Sequence, residues 1–277
     1  MQISDNPNFD AQLTTFRALI KLRQEPNRDL DQAHLTEESI LKRIQIFQNL
    51  ELSNNQRVLA IGDSDMSTTA ISIFGKPLEV VVVDIDRRMS EILFEAAMEY
   101  DLPIRFVYHD MRIKLIEILY HQYTVVIMEP PPTTPGFEVF ISRAIQCIQS
   151  GYEANIFISV PQDPLLQNYF HKYCHDLGIS IEAEFIGINH YINGYPSSDL
   201  IRIKIPSNIQ PTVKSHWIEP FYSYEVNQDY HEYRCLCNEI IKVGLNLQFE
   251  TLDELKMKGH SCGHKDVFSF NSKIPLL

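Results

Sequence analysis

RVLAIGDSDMSTT, residues 57–69, is an apolar, β-branched run that empties into a loop bearing two carboxylates, Asp63 and Asp65. Such a run, bounded by a glycine and followed by a Ser/Thr cluster, predicts a buried strand with a helix starting just beyond it. The stretches that follow repeat the pattern. EVVVVDI (79–85) is apolar on both faces, as a central parallel strand should be. DRRMSEILFEAAMEYD then sets Met89, Leu93, Ala96 and Tyr100 at helical spacing, and IRFVY (104–108) resumes the sheet. A third unit runs through MRIKLIEILYHQ into YTVVIM (123–128), and a fourth from GFEVFISRAIQCI into ANIFISV (154–160). After the helix-like PLLQNYFHKYCHDLG, the runs ISIEAEFIG (179–187) and DLIRIKI (199–205) flank a turn-rich stretch and predict a hairpin at the sheet edge.

Five βα units closed by an antiparallel hairpin is the chain order of the seven-stranded, Rossmann-like sheet of class-I S-adenosylmethionine-dependent transferases. The expected fold class is therefore α/β, of class-I methyltransferase type, although flavodoxin-like and dehydrogenase domains share the first half of that order. The expected organisation is a helical N-terminal segment (1–54), the Rossmann-like transferase domain (55–205) and a small C-terminal extension (206–277). AQLTTFRALIKLRQ and TEESILKRIQIFQNL are the two helix candidates of the first segment.

Composition excludes several classes of partner. The formal charge of -12, with no dense Lys/Arg run, repels phosphate backbones, so no nucleic acid partner is expected. Acidic surfaces also aid solubility without any ligand. No apolar run reaches the ~18–20 residues that cross a bilayer, and the first residues are polar and acidic. Five cysteines, an odd number in no regular framework, suit a reducing compartment, and a cytoplasmic location is expected.

Ligands of open parallel sheets bind beyond the carboxyl ends of the strands. Here those ends are Gly62-Asp63-Ser64-Asp65, Asp84-Ile85-Asp86, His109-Asp110 and Glu129-Pro130-Pro131, and every one carries an acid. Asp84 follows Gly62 by 22 residues, close to the ~20-residue spacing at which an acid meets ribose hydroxyls. Asp84 is assigned to ribose and Asp86 to capping the next helix, while Asp110 suits either an adenine amino group or a helix cap. Gly62 is the only glycine of the first loop, so no amide cradle for a pyrophosphate is expected there, and the carboxylates would repel one. A sulfonium nucleoside has no phosphate and carries a positive centre, which acids tolerate. If its tail has also lost its carboxylate, the acidic loop meets a bare ammonium.

GDSDMSTTAISIFG resembles the GDDD-x-x-S loop of the branched-chain polyamine synthases, the bis-aminopropyl spermidine synthase family. VVVDIDRRM and HDMR are similar to the next two stations of that family. MEPPPTTPGFEVFISRAI resembles its D-P-P segment with the following glycine and an arginine-bearing helix, here with Arg143. Asp31-Gln32 and the TEES segment resemble its upstream D-Q pair and helix. The departures are Ser64 for an acid, Glu129 for the D-P-P acid and Pro132 for an aromatic, all where the resemblance would place an amine.

The resemblance implies transfer of an aminopropyl group from decarboxylated S-adenosylmethionine to an amine, with methylthioadenosine leaving. The attacking amine must be neutral, so a carboxylate has to hold it and take its proton. The resemblance gives that role to Asp65, with Gly62, Asp63, Asp84 and Asp110 at the cofactor and Glu129, Asp31 and Gln32 at the substrate. Asp65 as a helix cap is the alternative, shared with Ser67, Thr68 and Thr69. The expected partner is a small-molecule amine, with no membrane and with room for a homodimer. The alternatives are methyl or aminocarboxypropyl transfer from intact S-adenosylmethionine to a small-molecule or peptide amine, and a non-catalytic binding paralogue. For intact donor, a basic or amide group should meet its carboxylate, and the first loop has none.

The extension holds Cys235-Leu-Cys237 and His260-Ser-Cys262-Gly-His264. Five soft ligands within 30 residues can close a tetrahedral zinc site, with Cys235, Cys237, Cys262 and His264 as the chosen set. Buried cysteines and surface histidines are the alternative, since C-x-C is not the usual knuckle spacing. Trp217, with Phe221, Tyr222 and Tyr224, is expected to pack the extension on the sheet, the alternative being that these residues line the active-site mouth.

Overall fold

The structure is a computed structural model in which residues 8–51, 54–149, 154–192, 194–206, 208–226, 230–244, 249, 252–263 and 268–274 are described. Two helices, α1 (Phe9–Ile20) and α2 (Glu37–Asn49), precede the first strand. Strands and helices then follow as β1 (Arg57–Ile61), α3 (Ser67–Phe74), β2 (Glu79–Asp84), α4 (Arg88–Tyr100), β3 (Ile104–Tyr108) and β4 (Val125–Met128). The series continues with α5 (Thr134–Cys147), β5 (Asn155–Pro161), α6 (Pro164–Leu177), β6 (Ser180–Asn189) and β7 (Ser198–Lys204). The sheet order is β3-β2-β1-β4-β5-β7-β6; β7 is antiparallel to both its neighbours and the other pairs are parallel. This is the expected seven-stranded sheet with its closing hairpin.

Strand alternation divides the apolar side chains between two faces. Leu59, Ile61, Val81, Val83, Val126 and Met128 meet α5 and α6. Val58, Ala60, Val80, Val82, Val125 and Ile127 meet the first four helices. Buried on both sides, these strands need no polar face, which is why they read as continuous Val/Ile runs. Thr36 opens α2 by accepting the Ser39 amide at 3.2 Å, while its own amide donates to the His190 carbonyl at the end of β6 (2.8 Å). The helix start is thereby docked at the sheet.

One predicted helical unit is absent. Between β3 and β4 the chain forms only a 3-10 turn, Glu117–Leu119. The Met111 carbonyl, which would close the first helical turn, instead accepts Arg143 Nε at 2.8 Å. Met111, Leu115 and Leu119 are still buried and hold the segment against the core.

The chain divides into two compact units, Met1–Tyr222 and Ser223–Leu277. The sequence places a boundary at 205, where the sheet ends; the segment beyond it stays with the first unit. Arg143 Nη2 donates to the Ser215 carbonyl (2.7 Å), the Val213 amide to Ser142 Oγ (3.0 Å), and Thr133 Oγ1 to the Phe221 carbonyl (2.7 Å). The second unit contains the short α7 (Ser223–Val226), β8 (Tyr230–Cys235), β9 (Ile240–Gly244), α8 (Leu252–Lys258) and β10 (Phe268–Ile274). Its antiparallel strands run in the order β10-β8-β9. Among the described residues, no helix is long and apolar enough to cross a membrane.

Candidate active site

The carboxyl ends of the first four strands open into a cleft walled by Gly62, Ser64, Asp84, His109 and Glu129 among others. Gly62 turns the chain at φ +74, and a Cβ there would stand 3.4 Å from the Glu129 carbonyl oxygen, so the loops after β1 and β4 lie close together. A Cβ on Gly136 would come within 2.3 Å of the Pro131 carbonyl oxygen, so only glycine lets α5 start against the Glu129-Pro-Pro turn.

Asp63 and Asp65 are both buried, and Ser64 between them supplies the wall. Asp63 Oδ1 accepts Ser67 Oγ at 2.9 Å and the Thr68 amide at 3.3 Å, and Oδ2 accepts Thr68 Oγ1. These bonds cap α3. Burial, then the neighbouring Asp65 carboxylate, push Asp63 well above the usual carboxylate range. Asp65 Oδ1 accepts the Ser67 amide at 2.9 Å, whereas its Oδ2 is buried with no hydrogen-bond partner. An unsatisfied buried acceptor costs about 1–3 kcal/mol. Met66, between cap and orphan, holds φ +58, a left-handed conformation uncommon for a non-glycine residue. Loops of this kind persist where the surrounding structure over-determines them, commonly at functional sites.

Asp84, at the end of β2, accepts the Asp86 amide on Oδ1 (2.8 Å) and the Asp63 amide on Oδ2 (3.2 Å). Burial raises it to about 6 against the pull of those amides. A carboxyl whose folded value exceeds its unfolded one stabilises the fold fully below the unfolded value and loses that contribution as pH rises through about 6. Stability of the ligand-free protein should therefore carry a loss of about 1 kcal/mol from this group between pH 5 and pH 7.5. Urea unfolding of the parent and of Asp84→Asn at both pH values checks it; equal pH dependence in the two would remove the assignment.

Asp86 accepts the Arg88 amide (3.1 Å) and pairs with Arg88 Nη2 (2.6 Å), while the N-cap position of α4 falls on Arg87. Asp86 also accepts Gln32 Nε2 at 3.0 Å, while Gln32 Oε1 accepts the Asn27 amide at 2.8 Å. Asp31 closes the 3-10 turn Arg28–Leu30 in a left-handed conformation. Asp31 and Gln32 both join the cleft wall. Asp110 does not; it pairs with Arg112 (Oδ2 to Nη2, 2.8 Å) while His109 and Met111 on either side face the cleft. His109 Nε2 is buried without a partner, and burial lowers its pKa, favouring the neutral ring. Phe221 and Tyr222 pack as expected and also line the cleft, Phe221 stacking on Phe140 at 6.0 Å.

Glu129 meets a cation, Arg43, from outside the strand-end residues. Arg43, 1 % exposed, donates through Nη1 to Glu129 Oε1 (2.5 Å), through Nη2 to Ser159 Oγ (2.9 Å) and through Nε to Asn189 Oδ1 (2.8 Å). Burial raises Glu129 to about 7; Arg43 opposes that rise and Asp65 adds to it. The signal was present in the spacing: Ile40, Arg43, Ile44 and Phe47 share the buried side of α2. A second missed cation is Arg23, whose Nη1 donates to the carbonyls of Leu35 (3.1 Å) and Asp65 (3.4 Å).

In the second unit, Cys235, Cys237 and Cys262 come together, and the histidine that joins them is His260. His264 lies outside the described residues.

A sheet of this order, with a glycine turn at the first strand and a carboxylate at the second facing one cleft, defines the class-I S-adenosylmethionine-dependent transferase fold. A solved RNA methyltransferase candidate from Pyrococcus horikoshii shares that fold (TM-score 0.54, 14% identity, 69% of this chain and 98% of that one). Within this class, the chain belongs to the family described as the branched-chain polyamine synthase A C-terminal domain, whose model matches residues 11–243. It is similar to the N(4)-bis(aminopropyl)spermidine synthase of Thermococcus kodakarensis, 25% identical over 74% of this chain and 60% of the relative. The enzyme of the same name from Methanocaldococcus jannaschii is 28% identical over 68% of this chain and 55% of the relative. The Thermus thermophilus branched-chain polyamine synthase, solved with N4-aminopropylspermidine and 5'-methylthioadenosine, superposes with TM-score 0.67 at 25% identity, over 74% of this chain and 66% of that one. The chain thus spans about 60% of the length of the first of these relatives.

Proposed function

We propose that the protein transfers an aminopropyl group from decarboxylated S-adenosylmethionine to a small amine acceptor. The observation that carries this reading is Asp65 Oδ2, a buried carboxylate oxygen without a partner, in the loop whose Gly62 and Ser64 wall the cleft together with Glu129. Membership of the synthase family and the methylthioadenosine held by the Thermus thermophilus relative support it. Asp84 would hold the ribose hydroxyls, and His109 and Met111 the adenine side of the cleft. Asp31, Gln32 and Glu129 would line the path of the acceptor. The acceptor nitrogen attacks the methylene carbon bound to the sulfonium; the new C–N bond forms as the C–S bond breaks, and its electron pair stays on sulfur in methylthioadenosine. Asp65 Oδ2 receives an N–H of the attacking amine and takes the proton it loses. Positioning of donor and acceptor supplies most of the remaining rate.

Arg23 favours a second reading. A guanidinium beside the first loop is the group that the carboxylate of intact S-adenosylmethionine would require, and methyl or aminocarboxypropyl transfer would then follow. Two calorimetric titrations, one with each form of the donor, separate these. Tighter binding of the decarboxylated form, with methylthioadenosine released on adding an amine, is expected. Tighter binding of the intact donor would overturn the proposal in favour of the Arg23 reading, and binding without turnover on any amine would leave a non-catalytic paralogue.

A further inference from the structure

We propose that the second unit is built around one tetrahedral zinc ion held by Cys235, Cys237, Cys262 and His260 through Nδ1. The ligand atoms of these four residues all lie within 4.8 Å of one another. A zinc ion with bonds of about 2.3 Å to sulfur and about 2.0 Å to nitrogen sets its ligand atoms roughly 3.4–3.8 Å apart. The cluster gives 3.4 Å for Cys235 Sγ to Cys262 Sγ, 3.7 Å for Cys237 Sγ to His260 Nδ1 and 3.0 Å for His260 Nδ1 to Cys262 Sγ. The first of these is far beyond the roughly 2.05 Å of a disulfide.

Two turns deliver the ligands in pairs, each pair separated by one residue. Cys235 ends β8, and the hairpin to β9 is closed by the Asn238 amide on the Cys235 carbonyl (2.9 Å) and the Cys235 amide on the Glu239 carbonyl (2.9 Å). Asn238 takes φ 71 to make this turn. After α8, Gly259 and Gly263 take φ 77 and 86 and fold His260-Ser-Cys262 back toward the hairpin. The imidazole is also oriented. His260 Nε2 stands 2.9 Å from Glu239 Oε2, so Nε2–H donates to the carboxylate and the Nδ1 lone pair is left for the metal, the outer-shell arrangement common to metal-binding histidines.

Four protein ligands close the site, so the ion is structural and no open position is left for substrate. The site adjoins the unit's core: Cys235 is buried in one apolar cluster with Ile241, Val243, Phe249 and Leu255. On binding, the thiols that are still protonated release their protons, so affinity falls as pH is lowered.

Plasma mass spectrometry of the full chain, purified under reducing conditions, should find about one zinc per chain, retained in His264→Ala and lost in Cys262→Ser. As a second measurement, hydrogen exchange with and without a zinc chelator should show amides of 230–244 losing protection while those of β1 to β5 keep theirs. Co(II) added to the chelated protein should give the visible ligand-field bands of a tetrahedral thiolate site. A parent protein that binds no more zinc or cobalt than Cys235→Ser/Cys262→Ser would overturn the site. Zinc lost in His264→Ala but kept in His260→Ala would overturn the His260 assignment.

Discussion

Asp65→Asn is expected to lower kcat for aminopropyl transfer by roughly 10²–10⁴-fold while leaving affinity for the decarboxylated donor's nucleoside portion nearly unchanged. The substitution separates two roles that one carboxylate performs. Oδ1 accepts the Ser67 amide, a bond that an asparagine carbonyl reproduces, so the turn into α3 survives. Oδ2 is the buried oxygen without a partner, and an amide nitrogen in its place donates where the attacking amine must also donate. The variant therefore keeps the fold and loses the group that can receive the amine's proton. Stopped-time assays of methylthioadenosine release, beside calorimetry with methylthioadenosine itself, test both halves. A kcat within a few fold of the parent would remove Asp65 from the chemistry and leave the capping role alone. Removal of the Asp65 charge also relieves the carboxylate that raises Glu129, so the Glu129 pKa should fall from about 7 in this variant.

The acids at the strand ends are legible in the sequence because parallel strands buried on both faces announce their own ends. Where Val83 gives way to Asp84, or Met128 to Glu129, the apolar run stops at the cleft. Which acids face that cleft was not visible. Asp63 is consumed by Ser67 and Thr68, and Asp110 by Arg112, through local bonds that turn one side chain inward and its neighbour outward. The missing helix after β3 has the same origin: its first carbonyl is taken by Arg143, 32 residues away in sequence. Tertiary partners override local pattern in both cases. The metal cluster shows the limit from the other side. Cysteine spacing identified three ligands, but His260 and His264 flank Cys262 symmetrically, and only the fold of the turn after α8 brings His260 to the thiols.

The largest stability effect should come from Arg43→Met, a loss of about 3–5 kcal/mol in the first unit. Arg43 is buried in α2 and binds the Glu129 carboxylate after β4, Ser159 in β5 and Asn189 in β6, so one guanidinium ties a helix to three stations of the sheet. A methionine fills much of the volume but leaves Glu129, 22% exposed on the cleft wall, without its counter-charge, the costly half of a broken ion pair. The pH dependence follows from the sign. Without Arg43, the opposing pull on Glu129 disappears, and its pKa rises beyond the parent's value of about 7. A carboxyl raised in the folded state favours folding when protonated, so the variant should lose less stability at pH 6 than at pH 8. Arg43→Lys keeps the charge but cannot reach three partners at once, and should fall between parent and Arg43→Met. Adding Glu129→Gln to Arg43→Met removes the unpaired charge and should recover part of the loss, mainly at pH 8. Trp217 is the chain's one tryptophan and packs against the core of the first unit, so its fluorescence during urea unfolding reports this unit. A single-variant loss below about 1 kcal/mol, equal at both pH values, would mean that Glu129 reaches water and that Arg43 holds no charge in place.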